Sequence, residues 1–146
     1  MSAKGRSWRL PVFAIALMFF YGFWLGGIQI TLANIAAHYG VDSTGTGLFV
    51  SVQYVSAALA PMCAGVIADR IGKKPLLVAF ALVFGAGCVL AGCSAGLWIY
   101  LAGMFLIGAG YSACEALVSS VLKDYAPERG MQYINLSQCQ IGRAHV

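Results

Sequence analysis

The chain carries very little charge for its length. Asp, Glu, Lys and Arg together make up 10% of its 146 residues, whereas 60% of the residues are hydrophobic. A soluble domain carries about 25% charged residues, so this sequence has too little polar surface to cover a water-facing exterior. Its mean hydropathy of +0.81 indicates that lipid is its main solvent.

The sequence also lacks the patterns of several other functions. No basic stripe with interleaved aromatic residues is present, which argues against nucleic-acid binding despite the formal charge of +4. No phosphate-binding glycine loop, nucleophile with a histidine partner or cluster of metal ligands is present, so we expect no enzyme, cofactor or metal site. None of the five cysteines forms a CxxC pair, and we expect buried thiols without disulfides.

Four apolar segments are each long enough to cross a membrane as a helix. They cover residues 10–37, 47–68, 75–93 and 97–122. The first is too long for the apolar core of a signal peptide and has no small-residue cleavage site, so we expect it to be retained. The predicted fold class is therefore an all-α integral membrane bundle.

The end of the chain predicts a fifth helix and an unrelated tail. The helix is predicted to begin near residue 130, after Pro127 and Glu128, which both suit a first helical turn. It is too short to cross the bilayer. The last six residues, 141–146, resemble the translation of a common sequencing adapter, so we expect a read-through tail and a natural protein that continues beyond residue 140.

Basic residues alternate between the connections of the four segments. They precede the first segment, are absent after it, return between the second and third, are absent again, and follow the fourth. By the positive-inside rule, this alternation predicts a cytoplasmic N-terminus. The residues concerned are Lys4, Arg6, Arg9, Arg70, Lys73, Lys74, Lys123 and Arg129.

The connection between the second and third segments, at residues 65–75, carries the most specific motif. A glycine, an Asp-Arg pair, a second glycine and two lysines follow one another in that order. Gly65 would let another helix approach closely, and Gly72 permits a turn that a β-carbon would strain. The motif positions are Gly65, Asp69, Arg70, Gly72, Lys73 and Lys74.

This motif resembles the signature loop of the major facilitator superfamily, and its place between helices 2 and 3 agrees with that family. The resemblance covers the chain up to about residue 140. It implies the N-terminal part of a twelve-helix transporter whose two six-helix halves alternate access to a central site. A C-terminal half of the same chain is then a partner, and Asp69 belongs to a gate between the halves.

Glu115 is the only charged residue inside a predicted spanning segment. A charge deep in lipid costs at least ~2.5 kcal/mol, so this side chain is expected to face protein or water. Tyr111 and Ser112 share its helix face. One interpretation is a hydrogen-bonded carboxyl group that fixes helix packing. The interpretation that we favour is a group on the transport path that couples transport to protons.

The surroundings of Glu115 resemble the fucose–galactose–glucose proton-symporter branch of the superfamily. Members of that branch carry a helix 4 glutamate used for proton coupling or sugar contact, and a polar run early in helix 5 on which Asn135 and Gln138 fall. Met104 stands where drug–proton antiporters often carry an arginine. The resemblance implies a proton-coupled sugar symporter; drug or metabolite efflux and a four-span scaffold protein are alternatives.

Polar and aromatic residues of the other segments are candidates for contact with the solute. Tyr21 and Trp24 share one side of the first segment, where their rings could stack on a sugar. Uncharged polar residues in apolar helices are explained by interhelical hydrogen bonds as well as by solute contact. The full set of candidates is Tyr21, Trp24, Gln29, Gln53, Tyr111, Asn135 and Gln138. We expect a multi-pass protein of a cell membrane, with the bacterial inner membrane favoured.

Small and aromatic residues of the third and fourth segments predict how these helices are placed. Six glycines predict close helix packing: Gly85, Gly87, Gly92, Gly103, Gly108 and Gly110. Trp98 and Tyr100, near the start of the fourth segment, are expected to anchor it at the membrane interface.

Overall fold

The computed structural model describes residues 9–125. Four helices make up nearly all of this part of the chain: α1 (Arg9–His38), α2 (Ser43–Ile71), α3 (Lys73–Gly92) and α4 (Leu97–Tyr125). Each contains a stretch that is long and apolar enough to cross a membrane. The predicted all-α membrane fold is confirmed.

The second helix extends further than the apolar pattern predicts. It begins at Ser43 instead of near residue 47 because Asp42 caps it, its carboxylate accepting a hydrogen bond from the Gly45 amide at 2.9 Å. It also continues beyond residue 68, so that Asp69 and Arg70 lie in its last turn and are exposed. Polar residues can thus belong to a membrane helix that hydropathy alone would cut short.

A single residue connects α2 to α3. Gly72 has a φ of +91°, a conformation that L side chains rarely adopt, and its amide donates to the Ala68 carbonyl at 2.9 Å. Lys73 and Lys74 already belong to the first turn of α3. The motif at residues 65–75 is therefore two charged helix ends joined by a sharp turn.

Gly65 does not make the close helix contact that the sequence predicts, at least within residues 9–125. The residue is exposed, and a β-carbon built on it would meet no atom within 4 Å. In the described part of the chain, its small size is therefore not used for packing.

The central helix is α4, of which 61% of the spanning window is buried, against 11–22% for the other three helices. It packs on one side against α3 and on the other against α2, whereas α1 contacts the other helices least. The four helices therefore divide into a packed unit of α2, α3 and α4, called here the core unit, and a more loosely attached α1.

Glycines bring the helices of the core unit together. A β-carbon on Gly103 would lie 2.7 Å from the Ala91 amide nitrogen, and one on Gly87 would lie 2.8 Å from that of Ile107. Gly108 likewise leaves room for the Gln53 carbonyl of α2. Gly110 faces α3 in the same way, but Gly85 and Gly92 have open space around them. Four of the six glycines thus pack as predicted.

A proline in α2 frees a backbone carbonyl that α4 uses. Pro61 has no amide hydrogen, so the carbonyl of Ala57, four residues earlier, lacks its usual helical donor. The Ser112 hydroxyl on α4 donates to this oxygen at 2.6 Å. In lipid an unsatisfied carbonyl is costly, so this hydrogen bond both satisfies α2 and fixes the rotation of α4 against it.

Aromatic residues close the end of the bundle opposite Gly72. The Tyr39 hydroxyl lies 2.5 Å from Ser94 Oγ and donates to the Ser94 carbonyl at 3.3 Å, which ties the end of α1 to the α3–α4 connection. Tyr100 is 4% exposed and packs between Tyr39 and Phe49. Tyr100 is thus covered by Tyr39 and by Phe49 of α2, whereas Trp98 is 81% exposed. The place of both residues at the membrane interface stays a prediction.

The cysteines of the described chain are free thiols. Cys114 is buried, and its thiol contacts the Leu77 carbonyl at 3.7 Å. Cys63 and Cys93 are exposed. The expectation of buried thiols therefore holds for Cys114 and fails for these two.

Candidate functional site

The site is built around Glu115, which is half-buried on α4. Tyr111 lies one turn earlier on the same face, and its hydroxyl is hydrogen-bonded to the Glu115 carboxylate. The i, i+4 spacing makes this contact possible within one helix. Glu115 is thus a partnered carboxylate inside a helix long enough to span the membrane.

Tyr111 also contacts α1. Its ring stacks face to face on that of Tyr21, with an angle of 5° between the ring planes, and both residues are 8% exposed. Tyr21 in turn lies against Trp24 at 6.4 Å between ring centroids and against Phe84 of α3 at the same distance. Aromatic contacts of this kind fix ring orientation in addition to burying area.

The hydroxyl of Tyr21 on α1 is a further neighbour of this carboxylate. Tyr21 has Tyr54 of α2 and Glu115 as its electrostatic neighbours. Tyr54 is largely exposed, whereas Gln53 beside it is buried at 6% exposure. Glu115 therefore has tyrosine hydroxyls of α4 and α1 among its neighbours.

A cavity of about 870 Å³ lies between α1, α3 and the start of α4. Six aromatic residues form part of its walls, together with small and aliphatic residues: Phe20, Phe23, Trp24, Tyr39, Phe84 and Tyr100. Thr31, Asn34 and Ser94 supply polar atoms toward the end where α1 meets the α3–α4 connection. A cavity of this size and lining suits an organic molecule with an apolar face and a few polar groups.

Three stacked rings connect this cavity to Glu115. Trp24 lines the cavity, Tyr21 stacks on Trp24, and Tyr111 stacks on Tyr21 and hydrogen-bonds Glu115. We call Trp24, Tyr21 and Tyr111 the ring ladder. The ring ladder therefore links a wall of the cavity, at Trp24, to the hydrogen-bond partner of the Glu115 carboxylate, Tyr111.

The remaining predicted candidates are placed differently. Gln53 is buried in the α2–α4 contact, where its backbone carbonyl faces Gly108. Gln29 is exposed on α1 and does not line the cavity. Asn135 and Gln138 lie outside the described residues, as do the predicted fifth helix from residue 130 and the tail at residues 141–146.

The sequence did not single out Phe84, Tyr39 or Ser94, all of which line the cavity. Phe84 lies in a uniformly apolar segment, where no periodic signal separates a cavity-facing ring from a packed one. Tyr39 follows the last residue of α1, and a tyrosine at that position is usually an interface anchor. Only the helix arrangement brings these residues together.

The described residues contain no group of three or more His, Cys, Asp or Glu side chains that could hold a metal ion. Tyr100 has a buried hydroxyl with no hydrogen-bond partner among these residues.

Comparison with known proteins gives a family and several relatives. The Major Facilitator Superfamily profile matches residues 12–139. The 4-hydroxybenzoate transporter PcaK of Pseudomonas aeruginosa is 26% identical over 84% of this chain and 27% of its own length. The inner membrane transport protein YajR of Escherichia coli K12 is 31% identical over 67% of this chain and 22% of its own length.

A further relative is named for multidrug resistance. The multidrug resistance protein MdtL of Escherichia coli K12 / DH10B is 28% identical over 83% of this chain and 31% of its own length. The chain thus spans less than a third of each of these relatives. No solved structure matches it at a significant level.

Proposed function

We propose, since the chain belongs to the Major Facilitator Superfamily, that it is the N-terminal part of a secondary active transporter that moves a small solute together with protons. The chain is a multi-pass membrane protein with four membrane-spanning helices among its described residues. In this proposal a C-terminal half completes the solute path, and the two halves alternate access between the two sides of the membrane.

The observation that carries this proposal is the partnered carboxylate of Glu115. It is the only acidic or basic residue in the interior of the described spans, away from their ends. Ionisable residues within membrane helices are expensive and mark proton or ion pathways. Glu115 contacts Tyr111, and Tyr111 stacks on α1, the helix with the sparsest contacts to the others. This link from the carboxylate to a loosely attached helix favours a coupling role over a purely structural one.

Two classes of solute are candidates. A monosaccharide is favoured by the residue pattern of Glu115, Asn135 and Gln138, which resembles the sugar-symporter branch. A small aromatic solute is favoured by the aromatic walls of the cavity, and one relative is by name a 4-hydroxybenzoate transporter. Both fit a cavity that combines stacking surfaces with polar atoms at one end.

Efflux of drugs or metabolites is a second candidate function. It is favoured by the relation to MdtL. Met104, which is fully buried, occupies the position at which drug–proton antiporters often carry an arginine, so we rank efflux below symport. For the location we propose the bacterial inner membrane, with the N-terminus and the Gly72 turn on the cytoplasmic side.

Uptake into energised membrane vesicles that contain the full-length gene product tests the function. Radiolabelled fucose, galactose, glucose, 4-hydroxybenzoate and a cationic dye are each offered with the outside more acidic than the inside. We expect one of the first four to accumulate, and a protonophore to abolish its accumulation. Vesicles without the protein are the control. Proton-driven export of the dye, with no uptake of the other four, would replace symport by efflux.

A further inference from the structure

The core unit of α2, α3 and α4 holds together through contacts that leave little room for movement. Gly103 and Gly110 let α3 approach α4 at backbone distance, and the Ser112 hydroxyl is bonded to the Ala57 carbonyl of α2. Cores packed in this way respond to a perturbation by switching between arrangements and not by deforming smoothly. A change at Glu115 is therefore expected to act on the least restrained neighbouring element.

That element is α1. Only 11% of its spanning window is buried, and its contacts with α2 and α4 are sparse compared with those inside the core unit. The stack of Tyr21 on Tyr111 is the aromatic contact between α1 and α4 in the described chain. Because Tyr111 is also the hydrogen-bond partner of Glu115, one side chain belongs to both the carboxylate site and the α1–α4 contact.

Protonation of Glu115 changes the hydrogen bond that the Tyr111 hydroxyl makes. When Glu115 is ionised, the Tyr111 hydroxyl donates to a carboxylate, and charge-assisted hydrogen bonds are roughly twice as strong as neutral ones. When a proton from water binds Glu115, the negative charge is removed and the new carboxyl O–H needs an acceptor of its own. Tyr111 keeps its own proton throughout, so only its orientation responds.

Tyrosines of three helices lie at or near this site. Tyr111 lies on the helix of Glu115, Tyr21 approaches from α1, and Tyr54 of α2 is an electrostatic neighbour of Tyr21. Buried Cys114 on α4 points to the Leu77 carbonyl of α3. The charged residues with described side chains lie otherwise at helix ends: His38, Asp42, Asp69, Arg70, Lys73 and Lys74. Glu115 is thus the group whose titration can reach the α1–α4 contact directly.

We infer that Tyr111 is a positioning residue that transmits the protonation state of Glu115 to α1 through its stack on Tyr21. This inference rests on the proposed proton-binding role of Glu115. The ring ladder then has a function. When Glu115 is ionised, its hydrogen bond with the Tyr111 hydroxyl keeps Tyr111 stacked on Tyr21. When Glu115 is protonated, the stack is released and α1 is free to move relative to the core unit. Because Trp24 ends the ladder at the cavity, the same movement alters the cavity wall.

Trp24 supplies a direct readout of this movement. The full-length transporter is prepared with Trp8 and Trp98 replaced by phenylalanine, and any tryptophans beyond residue 146 likewise, so that the emission reports the neighbourhood of Tyr21. We expect the Trp24 emission to change with pH, with the same midpoint as transport. Glu115→Gln, which cannot ionise, should show no such change.

The deciding variant is Tyr111→Phe, which keeps the ring and removes the hydroxyl. We expect the pH-dependent Trp24 signal to fall at least threefold. The midpoint of the transport profile should move toward alkaline pH by about one unit, because a lost hydrogen bond to the ionised form favours the protonated one. Tyr54→Phe is the matched control: it removes the hydroxyl of a largely exposed tyrosine outside the ring ladder, so the midpoint and the Trp24 signal should both persist.

The outcomes separate this inference from the function on which it rests. If Glu115→Gln keeps the pH-dependent signal, Glu115 is not the proton-binding group and both ideas fall. If Glu115→Gln loses it while Tyr111→Phe titrates like the parent protein, only the role of Tyr111 is overturned. Should Tyr111→Phe not fold, Tyr21→Leu tests the inference by removing the stack between Tyr21 and Tyr111. The Trp24 signal should then be lost while the infrared carboxyl band of Glu115 still titrates; a persisting signal contradicts the inference.

Discussion

At the scale of single residues, two hydroxyl groups of α4 have specific hydrogen-bond partners. The Ser112 hydroxyl donates a hydrogen bond to the Ala57 carbonyl, which Pro61 leaves without a helical donor. The Tyr111 hydroxyl is hydrogen-bonded to Glu115. In the hydrocarbon region of a membrane, water is not present to replace the Ser112 hydroxyl. These two hydrogen bonds therefore fix α4 relative to α2 and orient the carboxylate.

Removing the Ser112 hydroxyl tests the first of these pairings. We expect Ser112→Ala to destabilise the protein by about 1–2 kcal/mol, because it leaves the Ala57 carbonyl buried without a donor. Pro61→Ala restores an amide four residues after Ala57. In that background Ser112→Ala should therefore cost much less, and the double-mutant cycle should show a coupling energy of about 1 kcal/mol.

Unfolding midpoints in detergent measure the four proteins of this cycle. Ser119→Ala, a half-buried serine on the same helix, is the matched control for loss of a hydroxyl and should have little effect. Equal destabilisation by Ser112→Ala with and without Pro61 would show that the hydrogen bond does not compensate for the proline.

The sequence predicted part of this residue-level chemistry. Spacing on one helix sufficed to place Tyr111 and Ser112 on the face of Glu115. The partners of these residues on other helices could not be predicted, because nothing in the local pattern of α1 says that Tyr21 meets Tyr111. Gln29 illustrates the same limit: it is polar and lies in an apolar helix like Gln53, yet it is exposed while Gln53 is buried.

At the scale of elements, the four helices follow from the apolar segments, and their ends follow from caps. Hydropathy predicted the spans within a few residues, but Asp42 and Gly72 decide where α2 begins and ends. Because Gly72 alone connects α2 to α3, the two helices are antiparallel and Lys74 lies at the end of the bundle opposite Asp42. The charge pattern then predicts which end faces the cytoplasm.

Labelling of introduced cysteines tests this orientation. In a cysteine-free background of the full-length protein, Asp42→Cys should react with a membrane-impermeant maleimide in intact cells. Lys74→Cys should react only after the membrane is permeabilised. The background must replace Cys63 and Cys93, because both are exposed. Reaction of Lys74→Cys in intact cells, with Asp42→Cys protected, would invert the topology; reaction of both would refute the predicted spans.

At the scale of the whole molecule, the described chain is a packed core unit with a loosely attached α1. The cavity lies between α1 and α3, and the ring ladder connects it to Glu115. The motif at residues 65–75 predicted the superfamily, which the match over residues 12–139 bears out. The solute is not encoded in any motif as plainly, because it depends on cavity walls that several helices form together.

Solute accumulation by Glu115→Gln in the full-length transporter tests the central claim most directly. In proteoliposomes, one-proton symport driven by one pH unit supports about tenfold accumulation, since a pH unit equals about 1.4 kcal/mol. We predict that Glu115→Gln loses this accumulation but still exchanges labelled for unlabelled solute at equal pH, because exchange needs no net proton movement. Tenfold accumulation by Glu115→Gln, with the pH dependence of the parent protein, would contradict the claim that Glu115 couples transport to protons.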